Sequence, residues 1–304
     1  MARETDPALI AVDWGTSSLR LYLVAADGSI LETREGAEGV MNVPAGDFAG
    51  TLTRWLAGWP ADALPILMCG MVGSRQGWRE VPYLDCPVAP ADLGRALAAV
   101  ESGTGRGIWI MPGLRCRDDA GVPDVMRGEE AQLLGALAGP DAGTEMDCCL
   151  PGTHSKHVRI SAGRILSFSS HMTGEVFALL TRQGIIGRLM PDGLVSPDAE
   201  AFAAGIRRSA APGGLLHQIF GARTLPLMEE LSPPAIGDYL SGILIGHELR
   251  ATRWHGEVRV MAGSELVARY VRAFEALRIP ARAMPADLSA RGLWLIARQA
   301  GILA

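Results

Sequence analysis

Asp13-Trp14-Gly15-Thr16-Ser17-Ser18-Leu19-Arg20 is echoed, in register, by Leu150-Pro151-Gly152-Thr153-His154-Ser155-Lys156-His157. Each copy follows an apolar run, places Gly-Thr at the head of a short polar loop, and climbs into a second β-rich run. Each then meets a further glycine turn, Asp27-Gly28 or Ala162-Gly163, that feeds another strand. Strand, Gly-Thr turn and strand recur throughout α/β proteins, so one copy alone decides little. The pairing of whole hairpins predicts two lobes of common design. A glycine followed by small hydroxyl residues lets backbone N–H groups approach phosphate oxygens, and the hydroxyls add donors. Gly15, Thr16, Ser17 and Ser18 are therefore phosphate-binding candidates, as are Gly152, Thr153, His154 and Lys156. Asp13 ends the strand beside the first loop, where a carboxylate can hold Mg²⁺ directly or through water. The second copy has Pro151 before its glycine and no acid nearby. His154 and Lys156 suit the neutralisation of transferred charge, or else a merely solvated turn.

Outward from the first copy, residues 9–12, 19–25 and 29–33 read as the strands of a β-meander. Helical periodicity follows at 47–57 and 91–100, with strands at 65–69 and 107–111. Residues 127–139 form a helix opened by Gly128-Glu129-Glu130 and stopped by Gly139-Pro140. Beyond the second copy come helices at 235–253, 265–277 and 288–302, with a strand at 258–261. Strands and helices alternate, which predicts an α/β protein. The Gly, Pro, Asp and Ala-rich stretch 139–144 sets the expected boundary between an N-terminal lobe, 1–143, and a C-terminal lobe, 144–304.

This constellation resembles the actin/hexokinase superfamily. That resemblance implies two ribonuclease-H-like lobes with a nucleotide cleft between them, two phosphate hairpins, and an adenosine loop. The loop would be Val260-Met261-Ala262-Gly263-Ser264, so Gly263 and Ser264 join the nucleotide-binding candidates. Several strings are similar to the 2-dehydro-3-deoxygalactonokinase family: Cys69-Gly70-Met71-Val72-Gly73-Ser74 with Gly77-Trp78, Met126-Arg127-Gly128-Glu129-Glu130-Ala131-Gln132-Leu133, Pro151-Gly152-Thr153-His154-Ser155-Lys156, and Met172-Thr173-Gly174-Glu175. The resemblance covers nearly the whole chain. It implies ATP- and Mg²⁺-dependent phosphorylation of 2-dehydro-3-deoxy-D-galactonate at its 6-hydroxyl, in galactonate breakdown.

The attacking hydroxyl needs a base. In the glycerol and xylulose kinase branch, a Gly-Asp pair opening a helix before the second hairpin supplies it, and Gly128-Glu129 holds the corresponding place here. Glu for Asp lengthens the side chain. Glu129 is thus the expected catalytic base beside Asp13, against the alternative that Glu129 and Glu130 only complement the helix dipole. Glu130 points about 100° away on the helix and serves as the internal control; Glu175 and Asp85 are the fallback bases. A sugar-acid pocket calls for an Arg fork, hydroxyls and an aromatic edge. Ser74, Arg75, Trp78 and Arg127 are the substrate-binding candidates, ahead of Arg115 and Arg117. Trp14 either walls this pocket or lies in the core.

The composition is that of a folded globular chain, with 48% hydrophobic and 20% charged residues. A net charge of -5 supplies no global attraction for nucleic acid or anionic membrane. The cysteines, five in all and without CxxC spacing, suggest neither a disulfide framework nor a zinc site. The N-terminus lacks a signal-peptide core and no stretch is long enough to span a bilayer, so the expectation is a soluble cytoplasmic protein, with self-association open. Two other readings stand: a kinase for another sugar acid or ketose on the same fold, and a non-catalytic sugar sensor. Sensors of this kind usually carry a DNA-binding segment, and nothing of that length precedes Ala8.

Overall fold

The computed structural model describes residues 5–60, 62, 64–101, 107–139, 145–193 and 196–303. The expected meander is present as β1 (Pro7–Trp14), β2 (Leu19–Ala25) and β3 (Ile30–Gly36), each antiparallel to the next. Gly28, at φ +87°, makes the second turn, and Asp27 Oδ1 accepts from the Ser29 N–H at 2.8 Å. The helix α1 (Phe48–Trp55) follows, with the Asp47 carboxylate accepting from Gly50 N. Next come β4 (Ile66–Gly70), β5 (Leu84–Asp85), α2 (Pro90–Arg95), β6 (Ala98–Val100), β7 (Ile108–Ile110), β8 (Leu114–Arg117), β9 (Pro123–Met126) and α3 (Glu129–Leu137).

One sheet has the order β3-β2-β1-β4-β7-β6, with β1, β4 and β7 parallel; β5, β8 and β9 form a small separate sheet. Residues 9–12 of β1 are all fully buried, as expected for a central strand covered on both faces. The predicted helix at 91–100 is only half right. It stops at Arg95, and Ala98–Val100 becomes an edge strand antiparallel to β7. Ladder pairing with a formed sheet outweighs the helix propensity of this Ala-rich segment, which amounts to only about a few tenths of a kcal/mol per residue.

The second sheet begins with β10 (Met146–Leu150), β11 (Ser155–Ser161) and β12 (Arg164–His171). After these come α4 (Thr173–Arg182), α5 (Ala199–Arg208), α6 (Gly214–Ile219), α7 (Gly221–Leu227), α8 (Ile236–Arg250), β13 (Val258–Val260), α9 (Ser264–Ala276), β14 (Ala281–Ala283) and α10 (Leu288–Gln299). Its order is β12-β11-β10-β13-β14, with β10, β13 and β14 parallel. Strand for strand this repeats β3-β2-β1-β4-β7, so the echo in the sequence is an echo of topology. Each sheet carries its Gly-Thr hairpin at the end of its central strand.

The chain forms two compact units, Met1–Glu145 with Arg159–Phe168 and Pro285–Ala304, and Met146–Val158 with Ser169–Met284. The first segment ends near the expected boundary, although residues 140–144 of the proposed linker lie outside the described residues. The C-terminal residues belong with the first unit, not the second, because α10 packs on α3. A Cβ on Gly292 would stand 1.9 Å from the Ala131 carbonyl oxygen, and one on Gly135 would stand 2.2 Å from that of Leu288. Only glycines allow these backbones so close. Among the described residues no helix is long and apolar enough to cross a membrane.

Candidate active site

In the first unit, β1 and β4 run parallel with Asp13 opposite Cys69 and Trp14 opposite Gly70. The start of α3 comes to the same strand ends: a Cβ on Gly128 would lie 3.3 Å from Gly70 Cα and 4.0 Å from Asp13 Oδ1. The Ser289 hydroxyl donates to Asp13 Oδ2 at 3.1 Å. Burial raises the Asp13 carboxyl above the ordinary carboxylate range, against the lowering pull of Ser289, Arg20 and Cys69. The adjoining loop is closed by Gly15 N donating to the Ser18 carbonyl at 2.9 Å, and Thr16, Ser17 and Ser18 are exposed. Trp14 is fully buried and donates to the Glu38 carbonyl at 2.9 Å, so it is a core residue, not a pocket wall.

The two glutamates of α3 part company. Glu129 is half-buried, and its Oε2 accepts from Arg127 N at 3.0 Å. Glu130 is fully buried, and both of its oxygens accept from Gly128 N, at 2.9 and 2.7 Å. Burial, reinforced by the neighbouring charge of Glu129, pushes the Glu130 carboxyl up to about 8. Glu130 therefore caps the helix from inside and is no neutral control for Glu129. Asp85, a fallback base, forms a two-bond pair with Arg115 at 2.6 and 2.9 Å, and that pairing holds its carboxyl below the usual range. An exposed carboxylate already tied to a guanidinium is a poor proton acceptor. Arg117 donates to the Gly121 carbonyl at 2.6 Å.

Of the substrate-binding candidates, the fold withdraws polar atoms of Arg127 and Ser74 from solvent and leaves two out. Arg127 Nη1 would stand 2.8 Å from a Cβ on Gly73, the residue before Ser74. Its Nη2 donates to the Val81 carbonyl at 2.7 Å, and its guanidinium lies over the Tyr83 ring at 4.3 Å. Nε and Nη1 of Arg127, with the Ser74 hydroxyl, are buried without hydrogen-bond partners. Buried polar groups are rarely left so, and donors waiting beside a loop suit an anionic ligand. Arg75 instead projects into solvent, 3.7 Å from Glu80. Trp78 stacks on Phe48 at 6.3 Å against the core. Tyr83, on the strand β5 margin, went unread in the sequence because a lone tyrosine carries no pattern.

The second unit contains a cavity of about 350 Å³. Gly152 lines it at the hairpin, and Glu265 and Leu266 line it from the first turn of α9, directly after the proposed adenosine loop. Gly263 is exposed, with open space where a Cβ would stand; the Ser264 side chain lies outside the described residues. Asp238 and Arg269, an ion pair at 2.6 Å, also line the cavity. No sequence motif marked them, because they come from α8 and α9, 31 residues apart. Thr153 and His154 are exposed, and His154 Nε2 stands 2.5 Å from Glu175 Oε2. Lys156 is buried within β11, which excludes a solvated turn at that position.

Beneath the hairpin runs a buried polar chain. The Ser155 and Tyr270 hydroxyls are 3.0 Å apart, Tyr270 donates to Glu248 Oε2 at 2.6 Å, and His157 Nε2 meets Glu248 Oε1 at 2.8 Å. Burial alone would raise the Glu248 carboxyl, but bonds from His157, Thr173 and Tyr270 hold it below its ordinary value. Cys149, His157 and Glu248 offer atoms within 4.8 Å of one another. With both Glu248 oxygens engaged, this cluster is a hydrogen-bonded support for β11.

Two sheets of one order, each ending its central strand in a Gly-Thr hairpin, define the actin-like ATPase fold, here in a phosphotransferase. The 2-keto-3-deoxy-galactonokinase family profile matches residues 13–296. A Rhizobium meliloti protein named as a probable 2-dehydro-3-deoxygalactonokinase is 39% identical over 95% of this chain and 96% of its own. The 2-dehydro-3-deoxygalactonokinase of Escherichia coli is 36% identical over 91% and 93%. The crystal structure of a 2-dehydro-3-deoxygalactonokinase candidate from Sinorhizobium meliloti superposes with a TM-score of 0.86 at 36% identity, covering 95% of this chain and 98% of that one. The chain belongs to the 2-keto-3-deoxy-galactonokinase family.

Proposed function

We propose that this enzyme transfers the γ-phosphoryl group of ATP to the 6-hydroxyl of 2-dehydro-3-deoxy-D-galactonate, in the cytoplasm, as a step of galactonate breakdown. Family membership across residues 13–296 carries the reading. The cavity of the second unit supports it, since it runs from the hairpin glycine to the first turn of α9 and can take an adenosine with its phosphates toward Gly152. Backbone N–H groups of residues 15–18 and 152–154 serve as phosphate donors. Asp13 fits a hard divalent cation: it is a half-buried carboxylate whose hydrogen-bond partners Ser289 and Cys69 are uncharged, so its charge is left for a cation to balance. Bound there, Mg²⁺ would neutralise phosphate charge during transfer.

Glu129 is the base in this reading. It is the more accessible of the α3 glutamates, and its anchorage to Arg127 N fixes its side chain. Arg127 and Ser74 take the substrate carboxylate, supplying the donors that otherwise stay unpaired. An ADP-release screen across aldonates, 2-keto-3-deoxy acids and ketoses tests the assignment. The expected result is turnover confined to the 2-keto-3-deoxy acid, with a phosphate monoester at C6 in the product. ADP release without any acceptor, or turnover only with ketoses, would reject it.

A further inference from the structure

The Met172–Glu175 string was singled out in the sequence, yet nothing in the mechanism above uses it. In the structure it is the entry to α4, and it is docked on the second hairpin. Glu175 N donates to the Thr153 carbonyl at 3.0 Å. A Cβ on Gly174 would stand 2.4 Å from the Gly152 carbonyl oxygen and 2.9 Å from Thr153 Cα, so only glycine permits the approach. Thr173, Gly174 and Gly152 line the same cavity. The Glu175 carboxylate then reaches the imidazole of His154 at 2.5 Å through Nε2.

We propose that Glu175 is a positioning residue that orients His154 to contact the phosphoryl group being transferred. The inference rests on the kinase reading and on the second hairpin as a phosphate loop. A carboxylate accepting from one imidazole nitrogen fixes both the tautomer and the ring orientation. With Nε2 committed to Glu175, Nδ1 is the ring atom left to face phosphate oxygens. Lys156 and His157, the other basic residues of this segment, are buried, whereas His154 is exposed at the loop tip. Glu175 is thereby removed from the fallback bases, since its carboxylate serves the ring.

A kinetic double-mutant cycle tests this with Glu175→Gln, His154→Gln and the double variant, with Glu175→Ala as a second truncation and thermal melts as the folding control. Both single Gln variants should lower kcat about 10- to 100-fold, the scale of losing one oriented donor or its orienter. KM for ATP should move by less than about threefold, and the double variant should be no slower than His154→Gln alone. Three results would overturn the proposal, and they are distinguishable. Unchanged kcat in His154→Gln would remove the second hairpin contact itself. Slow His154→Gln with fast Glu175→Gln and Glu175→Ala would leave the contact and remove the pairing. Additive losses in the double variant would make Glu175 act on its own, as a base or as a structural group.

Discussion

Arg127→Met should make the ligand-free protein no less stable while crippling its use of the sugar acid. The substitution keeps the stem packed near Tyr83 and removes the guanidinium. Lost are the bond to the Val81 carbonyl and the contact with the Tyr83 face, together about 2–3 kcal/mol. Removed at the same time are two buried donors, Nε and Nη1, that have no partner, each costing about 1–3 kcal/mol. The sum lies between about zero and a few kcal/mol in favour of the variant. For a chain of this size each kcal/mol shifts Tm by about 2 °C. A substrate carboxylate held by two charge-assisted bonds contributes about 3–4 kcal/mol, so kcat/KM for the sugar acid should fall about 10²- to 10³-fold. Most of that change should appear in KM for the acid and little in KM for ATP. Calorimetric melts of the ligand-free variant, paired with steady-state titration of both substrates, measure the two effects. A Tm lowered by several degrees with KM for the acid unchanged would show that Arg127 is a structural residue and refute the reasoning.

Glu129→Gln keeps size and hydrogen bonding but cannot take a proton, so turnover should fall by about 10²–10⁴-fold with substrate binding little changed; single-turnover kinetics with isothermal binding would show it. Loss of only a few tenths to about 1 kcal/mol of stability, with turnover intact, would return Glu129 to a helix-dipole role. Asp13→Ala should lose Mg²⁺-dependent turnover by several orders of magnitude while remaining folded by circular dichroism. Glu130 predicts a pH effect of definite sign. Its carboxyl titrates near 4.5 when exposed and is pushed up to about 8 in the fold, so the native state holds more protons between those values. Its contribution to stability is complete below about pH 4.5 and is lost as pH rises through about 8, by at most about 1.4 kcal/mol per pH unit. Denaturant melts across that range should show the decline in the wild type and its absence in Glu130→Gln; parallel curves would disprove the assignment.

The meander, the internal echo and most helices were legible because each rests on local pattern: period, turn glycines, and acids in a first turn. Two features were not. Ala98–Val100 had helix-forming residues but pairs with β7, and only a formed sheet can offer that ladder. Residues 285–303 follow the second unit in the chain but pack in the first, because glycines on α3 and α10 let two backbones meet across more than 150 residues. No local signal encodes that distance.

For the site, the sequence by itself determined where the two Gly-Thr loops fall and which acid ends the central strand, since Gly-Thr loops and a strand-terminal carboxylate are properties of contiguous residues. It could rank Arg127 against Arg75 only as equals. Tertiary structure separated them by burying Nε and Nη1 of the Arg127 guanidinium without partners and sending Arg75 to solvent. It also separated Glu129 from Glu130, which are neighbours in sequence but lie in different surroundings, one half-buried and one sealed in the core. Desolvation, which depends on what the rest of the chain packs against each side chain, is the physical reason. It gives two identical carboxyls two different chemistries.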